Sequence, residues 1–223
     1  MPRPTTPPLP TRRVAAAPTR RRRAAGLAAW AAAAALALLV ACGSAPLPVQ
    51  LYRLAAAAPA DAAAAAGPVA ATGVWQLVPP VRLPEYLDRD ALLVPMGQSG
   101  LQALAGHRWA EPLRESVPRL LRQDLATLLG EARVWGVPLP AGVGVTQQLR
   151  VELLALEPVA DRSAVTLRAR WSLADTAGRT PPRVDAALIV VPVASSDIDA
   201  LVAAHRLALW RLAERIASAA PGH

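Results

Sequence analysis

The sequence predicts an α+β fold. The expected architecture is a single layered domain, with a mostly antiparallel sheet and two main helices packed on one side, preceded by a lipoprotein-type signal peptide. Three observations carry this. Residues 165–173 alternate, with Val165, Leu167, Ala169, Trp171 and Leu173 set between Thr166, Arg168, Arg170 and Ser172. That is a strand with one face buried and one in water. Two stretches, 113–128 and 198–216, repeat apolar residues every three or four positions, as helices meeting a core do. Strands come in runs rather than in strict alternation with helices, which argues against a doubly wound parallel sheet.

The chain opens on a basic run, Arg20 to Arg23, followed by the apolar stretch Ala24 to Ala41 and then Cys42, the sole cysteine. A charged region, an apolar region and a small-residue cleavage site together read as a secretory signal. Leu39-Val40-Ala41-Cys42 resembles the lipobox of bacterial lipoproteins, whose cysteine is acylated and becomes the first mature residue. A buried free cysteine is the competing reading, although nothing about a core cysteine would place it at this junction. A retained membrane helix is another, but the 18 residues are mostly alanine and sit at the lower edge of a bilayer span. The arginine pairs lack the flanking residues of a twin-arginine signal.

Removal of residues 1–41 changes the charge argument. The 223-residue chain has a net charge of +8 from 24 arginines and 16 acids. Seven arginines and no acids precede Cys42, so the mature chain stands at +1. The high pI belongs mostly to the leader, so the basicity does not point to nucleic-acid binding. The remaining 182 residues suffice for one domain with its own core.

The mature chain divides into a lipid-anchored tether over 42–71, a folded body over 72–219 and a tail over 220–223. Within the tether, residues 49–54 partly alternate and predict a first strand. The alanine-rich run 55–67, broken by Pro59 and Asp61, predicts a loose loop or weak helix. Residues 74–81 predict a strand running into a turn at Pro79-Pro80. A short ordered loop over 83–89 leads to a strand at 91–96, then to a Gly-punctuated hairpin ending at His107-Arg108-Trp109. A helix follows, with Pro112 in its first turn and Gly130 behind its end. Leu113, Val117, Leu120, Leu121, Leu125 and Leu128 make its buried stripe, and Pro118 should kink it or shift its start. Leu149, Val151, Leu153 and Ala155 form one face of a strand that partners 165–173, and 183–193 is the next strand. Ser195 or Ser196 is expected to cap the last helix, whose stripe is Ile198, Leu201, Val202, His205, Leu209, Leu212 and Ile216.

No catalytic, cofactor-binding or metal-binding constellation is visible. Gly97-Gln98-Ser99-Gly100 lacks the spacing of a nucleophile elbow and reads as a turn. Gly142-Val143-Gly144 lacks the third glycine of a dinucleotide loop. His107 and His205 are far apart, and His205 lies on an apolar helix face, as a core histidine would. Too few His, Cys or clustered acids exist for a metal site. Glu85, Asp88 and Asp90 lie among Arg82 and Arg89 and suggest a local ion-pair network. Tyr86, Asp88, Arg89, Trp109 and Glu111 are candidates either for partner contact or for anchoring loop to helix. The Arg168/Arg170 face could meet lipid phosphate, a neighbouring subunit or only water.

Several segments together resemble the PqiC-type family of ABC-transport auxiliary lipoproteins. They are Cys42 at the lipobox, Leu51-Tyr52-Arg53-Leu54, Val81-Arg82-Leu83-Pro84-Glu85-Tyr86-Leu87-Asp88-Arg89, and Arg108-Trp109-Ala110-Glu111-Pro112-Leu113, followed by the order of later strands and final helix. Arg53, where the family commonly has a small or hydroxyl residue, and the weakly polar 97–106 segment depart from the pattern. The resemblance implies a non-enzymatic lipoprotein, an auxiliary subunit of an ABC/MCE-type intermembrane phospholipid transport system that supports membrane integrity. It implies diacylglycerol and N-acyl groups on Cys42, no cofactor, and attachment to the periplasmic face of the outer membrane. Gly43, rather than Asp, after the cysteine agrees with outer-membrane export. The implied partner is an MCE-domain tunnel protein, with a homo-oligomeric ring as a further expectation. A structural or assembly lipoprotein, forming a collar for another envelope export machine, is the alternative. A lipid hydrolase would require turnover dependent on Ser99.

Overall fold

The computed structural model describes residues 48–67, 69 and 72–219. The signal segment 1–41, Cys42 and the tail 220–223 lie outside the described residues. Two sheets and three helices make the body. β1 (Gln50–Tyr52), β3 (Ala91–Met96) and β4 (Gly100–Trp109) form a three-stranded sheet in the order β1-β4-β3. β2 (Trp75–Leu77), β5 (Val134–Trp135), β6 (Gln147–Pro158), β7 (Ala164–Asp175) and β8 (Arg183–Pro192) form a second, in the order β5-β2-β6-β7-β8. The helices are α1 (Ala60–Ala65), α2 (Leu113–Leu129) and α3 (Ile198–Ser218).

The α+β class is as the sequence predicts. The long strands β6, β7 and β8 are an antiparallel meander, in which each strand of the alternating pattern finds its neighbour. The strands divide between two sheets, however, and three pairings are parallel: β1 with β4, and β2 with both β5 and β6. β2 ends where Pro79 and Pro80 supply no N–H to the ladder. The chain nonetheless keeps company with β6, since the Val78 and Arg82 amides donate to Leu149 and Val151 and Arg82 accepts from Leu153.

On β6 the register shifts between Leu153 and Ala155. This bulge resets the alternation, so Leu156 opposes Leu167 in the core while Ala155 aligns with Arg168. The expected face Leu149, Val151, Leu153, Ala155 therefore continues inward through Leu156.

The β3–β4 turn is built on two glycines. Gly97 has φ +65°, and a Cβ at Gly100 would lie 2.6 Å from the Met96 carbonyl oxygen. α2 starts directly after Pro112 and stops at Gly130, whose φ is +107° and whose amide donates to the Ala126 carbonyl at 2.8 Å. Its predicted stripe is wholly buried. Pro118 does not move the start; the helix begins at Leu113, five residues upstream. At the N-cap of α3 stands Asp197, not Ser195 or Ser196. The Ser195 hydroxyl instead hydrogen-bonds the Asp197 carboxylate at 3.0 Å.

Helices α2 and α3 pack together, and α3 lies on β7 and β8. The inward side chains Val151, Leu167 and Trp171 meet Leu120, Leu125 and Leu209 in one core. The alanine-rich run is held as well. Leu54 is buried, α1 sends Ala62 into the core, and the Val69 amide donates to the Leu128 carbonyl. Alanines bring little apolar area, so their order comes from this docking rather than from the run itself.

Candidate functional site

The loop 83–89 and the exit of β4 converge on α2. A short 3-10 turn, Glu85–Leu87, buries Leu87 and leaves Asp88 free to accept both carboxylate contacts from Arg114 of α2 at 2.7 Å. Glu111 pairs with Arg119 one turn further along α2, and Asp90 pairs with Arg108 of β4. The expected network of Glu85, Asp88 and Asp90 with Arg82 and Arg89 is thus corrected. Instead Asp88 reaches Arg114 of α2 and Asp90 reaches Arg108 of β4. These pairs are solvent-exposed, and each stabilises the arrangement by about 1 kcal/mol or less.

Trp109 is buried, and its amide donates to the Asp90 carbonyl. The ring meets His205 of α3 edge-on at 5.6 Å. Tyr86 is half-buried; burial and then the Glu157 carboxylate push its phenol up to about 12, so it stays protonated. Arg89 is exposed. Of the five candidates, Asp88 and Glu111 fasten elements by ion pairs, Trp109 by packing, and Arg89 alone projects without a contact that ties elements together.

His205 is enclosed, with Nδ1 2.8 Å from the Leu201 carbonyl oxygen. Desolvation lowers its pKa to about 4, so it is neutral near pH 7. His107 lies elsewhere, its Nδ1 3.0 Å from the Tyr52 hydroxyl on the neighbouring strand. Ser99 sits in the exposed β3–β4 turn. Among the described residues no three of His, Cys, Asp and Glu gather where they could hold a metal ion. Among the described residues, the contacts of these side chains hold elements together.

The sequence reading missed one buried charge. Arg206 of α3 forks onto Asp124 of α2, with Nη1 2.7 Å from Oδ2 and Nη2 on Oδ1, and Nε donates to the Ala55 carbonyl at 2.8 Å. Both side chains are essentially solvent-free. Burial lifts the Asp124 carboxyl above the ordinary range, against the opposing pull of the Arg206 guanidinium. The signal available was a single arginine, Arg206, directly beside His205 on α3, and a single acid, Asp124, directly beside Leu125 on α2.

The outer face of the five-stranded sheet, opposite the helices, was legible only in part. Arg168 and Arg170 are there, as the alternation of β7 requires. Arg150 of β6 and Arg82 join Arg170 around a shallow cleft of about 330 Å³. Glu152 accepts from Arg170 Nε at 2.6 Å.

The sequence matches, over residues 52–217, the family described as ABC-type transport auxiliary lipoprotein component. The chain belongs to this family. The auxiliary lipoprotein shares its fold with two crystal structures at 18% identity. One is of an uncharacterized protein, with a TM-score of 0.58 over 77% of this chain and 97% of the other. The other is protein XCC0632 from Xanthomonas campestris, of family DUF330, with a TM-score of 0.57 over 76% and 93%. No curated protein matches the sequence. Among the described residues of the auxiliary lipoprotein, no helix is long and apolar enough to cross a membrane.

Proposed function

We propose that this auxiliary lipoprotein is a non-enzymatic subunit of an ABC/MCE-type intermembrane phospholipid transport system, held by an acylated Cys42 at the periplasmic face of the outer membrane. Its body would receive the distal end of an MCE-domain tunnel protein whose other end lies in the inner membrane. The observation that carries the reading is the family match over the folded body, set behind a basic run, an apolar stretch and a lipobox cysteine. Two or more acyl chains hold a protein stably, whereas one gives an affinity on the order of only 10⁴ M⁻¹. A ring of copies is part of this reading, favoured by the unpaired outer edge of β8, which is exposed along most of its length.

The test is crosslinking in intact cells followed by identification of the adduct. Capture of an MCE-domain protein is the expected outcome. Reproducible capture of a different envelope export machine, without an MCE-domain protein, overturns the reading in favour of a collar lipoprotein. Attachment is tested separately. Cys42→Ser is expected to move the protein from the membrane fraction to the soluble fraction, measured by fractionation and by the loss of acyl mass from the N-terminal peptide. An unmodified native thiol would remove the anchor.

A further inference from the structure

The outward rows of β6, β7 and β8 follow from the ladder. Arg150 stands beside Ser172 and Val184, Glu152 beside Arg170 and Ala186, and Arg168 beside Leu188. Arg82 comes alongside through its bridge to Glu152. Four arginines therefore share this face with Glu152, which is already engaged by Arg170, and with Glu157 at its far end, opposite Thr166 and beside Tyr86. No acidic side chain pairs with Arg82, Arg150 or Arg168 among the described residues. Beside them the face carries large aliphatic side chains in water: Val184 is 75% exposed, Leu188 68% and Val190 57%. The 330 Å³ cleft over Arg82, Arg150 and Arg170 adjoins a second hollow formed by Leu154, Arg168 and Leu188.

We propose that this face binds the phosphate-bearing headgroup of an anionic phospholipid, with the guanidinium groups on the phosphate and the aliphatic row against the glycerol and upper acyl chains. Guanidinium forks match phosphate oxygens two at a time and are weakly hydrated, so they give up water readily. A ligand bearing charge alone would leave Val184 and Leu188 in water. A ligand bearing only hydrocarbon would strand three unpaired cations. An amphiphile with an anionic head satisfies both, and the cleft has room for a headgroup but not for a whole lipid. Nucleic acid fits poorly, since the cleft offers no exposed aromatic platform for bases. The inference uses the proposed envelope location only to say where phospholipid is met; the site itself stands on the arrangement of these side chains.

The experiment is photolabelling of the full protein, purified from envelope membranes, with a phosphatidylglycerol that carries a photoactivatable headgroup. Adducts are mapped by peptide mass. They are expected on the β6–β8 peptides. The combined Arg82→Gln, Arg150→Gln and Arg168→Gln variant should lower them about tenfold, the loss of roughly one charge-assisted contact's worth of affinity. A second variant, Val184→Ser with Leu188→Ser, keeps the arginines and should also reduce labelling several-fold if the aliphatic row contributes. Thermal melts by circular dichroism check that each variant folds. Adducts scattered over the surface, or equal in folded variant and parent, overturn the proposal. Erasure of the label by millimolar inorganic phosphate reassigns the cleft to a free anion and also overturns it. Failure here leaves an intact-cell MCE crosslink standing, and failure of that crosslink leaves the labelling standing, so the two readings fall separately.

Discussion

Arg206 and Asp124 show how a charge can enter a core. The guanidinium meets the carboxylate with two of its nitrogens and the Ala55 carbonyl with the third, so each of its three nitrogens donates. Such a pair adds little net stability, but losing one member leaves the other buried and unpaired. Asp124→Ala is expected to cost about 3–5 kcal/mol, read by urea denaturation. The double variant Asp124→Leu with Arg206→Met should recover most of that loss. Recovery by neither apolar double nor charge-swapped double would show that the pair does not act as a unit. His205 makes a second residue-scale prediction. Its folded pKa of about 4 lies below the usual value of 6.5. The unfolded chain therefore binds more protons between those values, and stability falls as pH drops from about 6.5 to about 4. The expected loss is about 3 kcal/mol, absent from His205→Leu when the two pH profiles are subtracted.

The elements differ in how far their own residues specify them. α2 is bracketed by Pro112 and Gly130, and β7 carries an unbroken two-residue alternation, so both were legible residue by residue. β2 was legible as a strand but not in its place. Nothing in Trp75-Gln76-Leu77 announces parallel neighbours that come from sequence positions 134 and 147. The same holds for Tyr52 beside Trp109, a pairing that closes a long loop. The bulge in β6 was hidden because Leu153 to Leu156 are all apolar and fit either register. At the site, the ion pairs of Asp88 and Asp90 could not be assigned because their partners belong to other elements. Arg206 was hidden because a charged residue on an apolar stripe carries no local mark of its partner. Pro118 gives a prediction at this scale. It cannot donate to the Arg114 carbonyl, and interior prolines cost a helix about 3 kcal/mol. Pro118→Ala should therefore raise the melting temperature by several degrees, measured calorimetrically. A lower melting temperature would mean that the ring's packing beside Val81 and Arg122 outweighs the missing bond.

For the whole molecule, the helices close one face of the large sheet and leave the other open. The core draws on both sheets, on α2 and α3, and on the segment from Leu54 to Val69. The body thus includes residues that the sequence suggested would belong to a loose connection. Ala55 is gripped by Arg206 and Ala62 is buried, so the core extends into the alanine-rich run.

The early start of β1 has a mechanical consequence. Gln50 is already paired with His107, eight residues after Cys42. Even at full stretch eight steps of chain span at most about 28 Å. On the proposed reading, in which an acylated Cys42 moors the body, so small a working radius would keep it beside the leaflet, and any machine it serves would have to come to it. Inserting about twenty Gly and Ser residues at position 45 should dilute the body about sixfold at the leaflet, by the inverse three-halves power of length. Phospholipid labelling of the open sheet face should fall in proportion. Unchanged labelling would mean that proximity to the bilayer is not what keeps that face supplied.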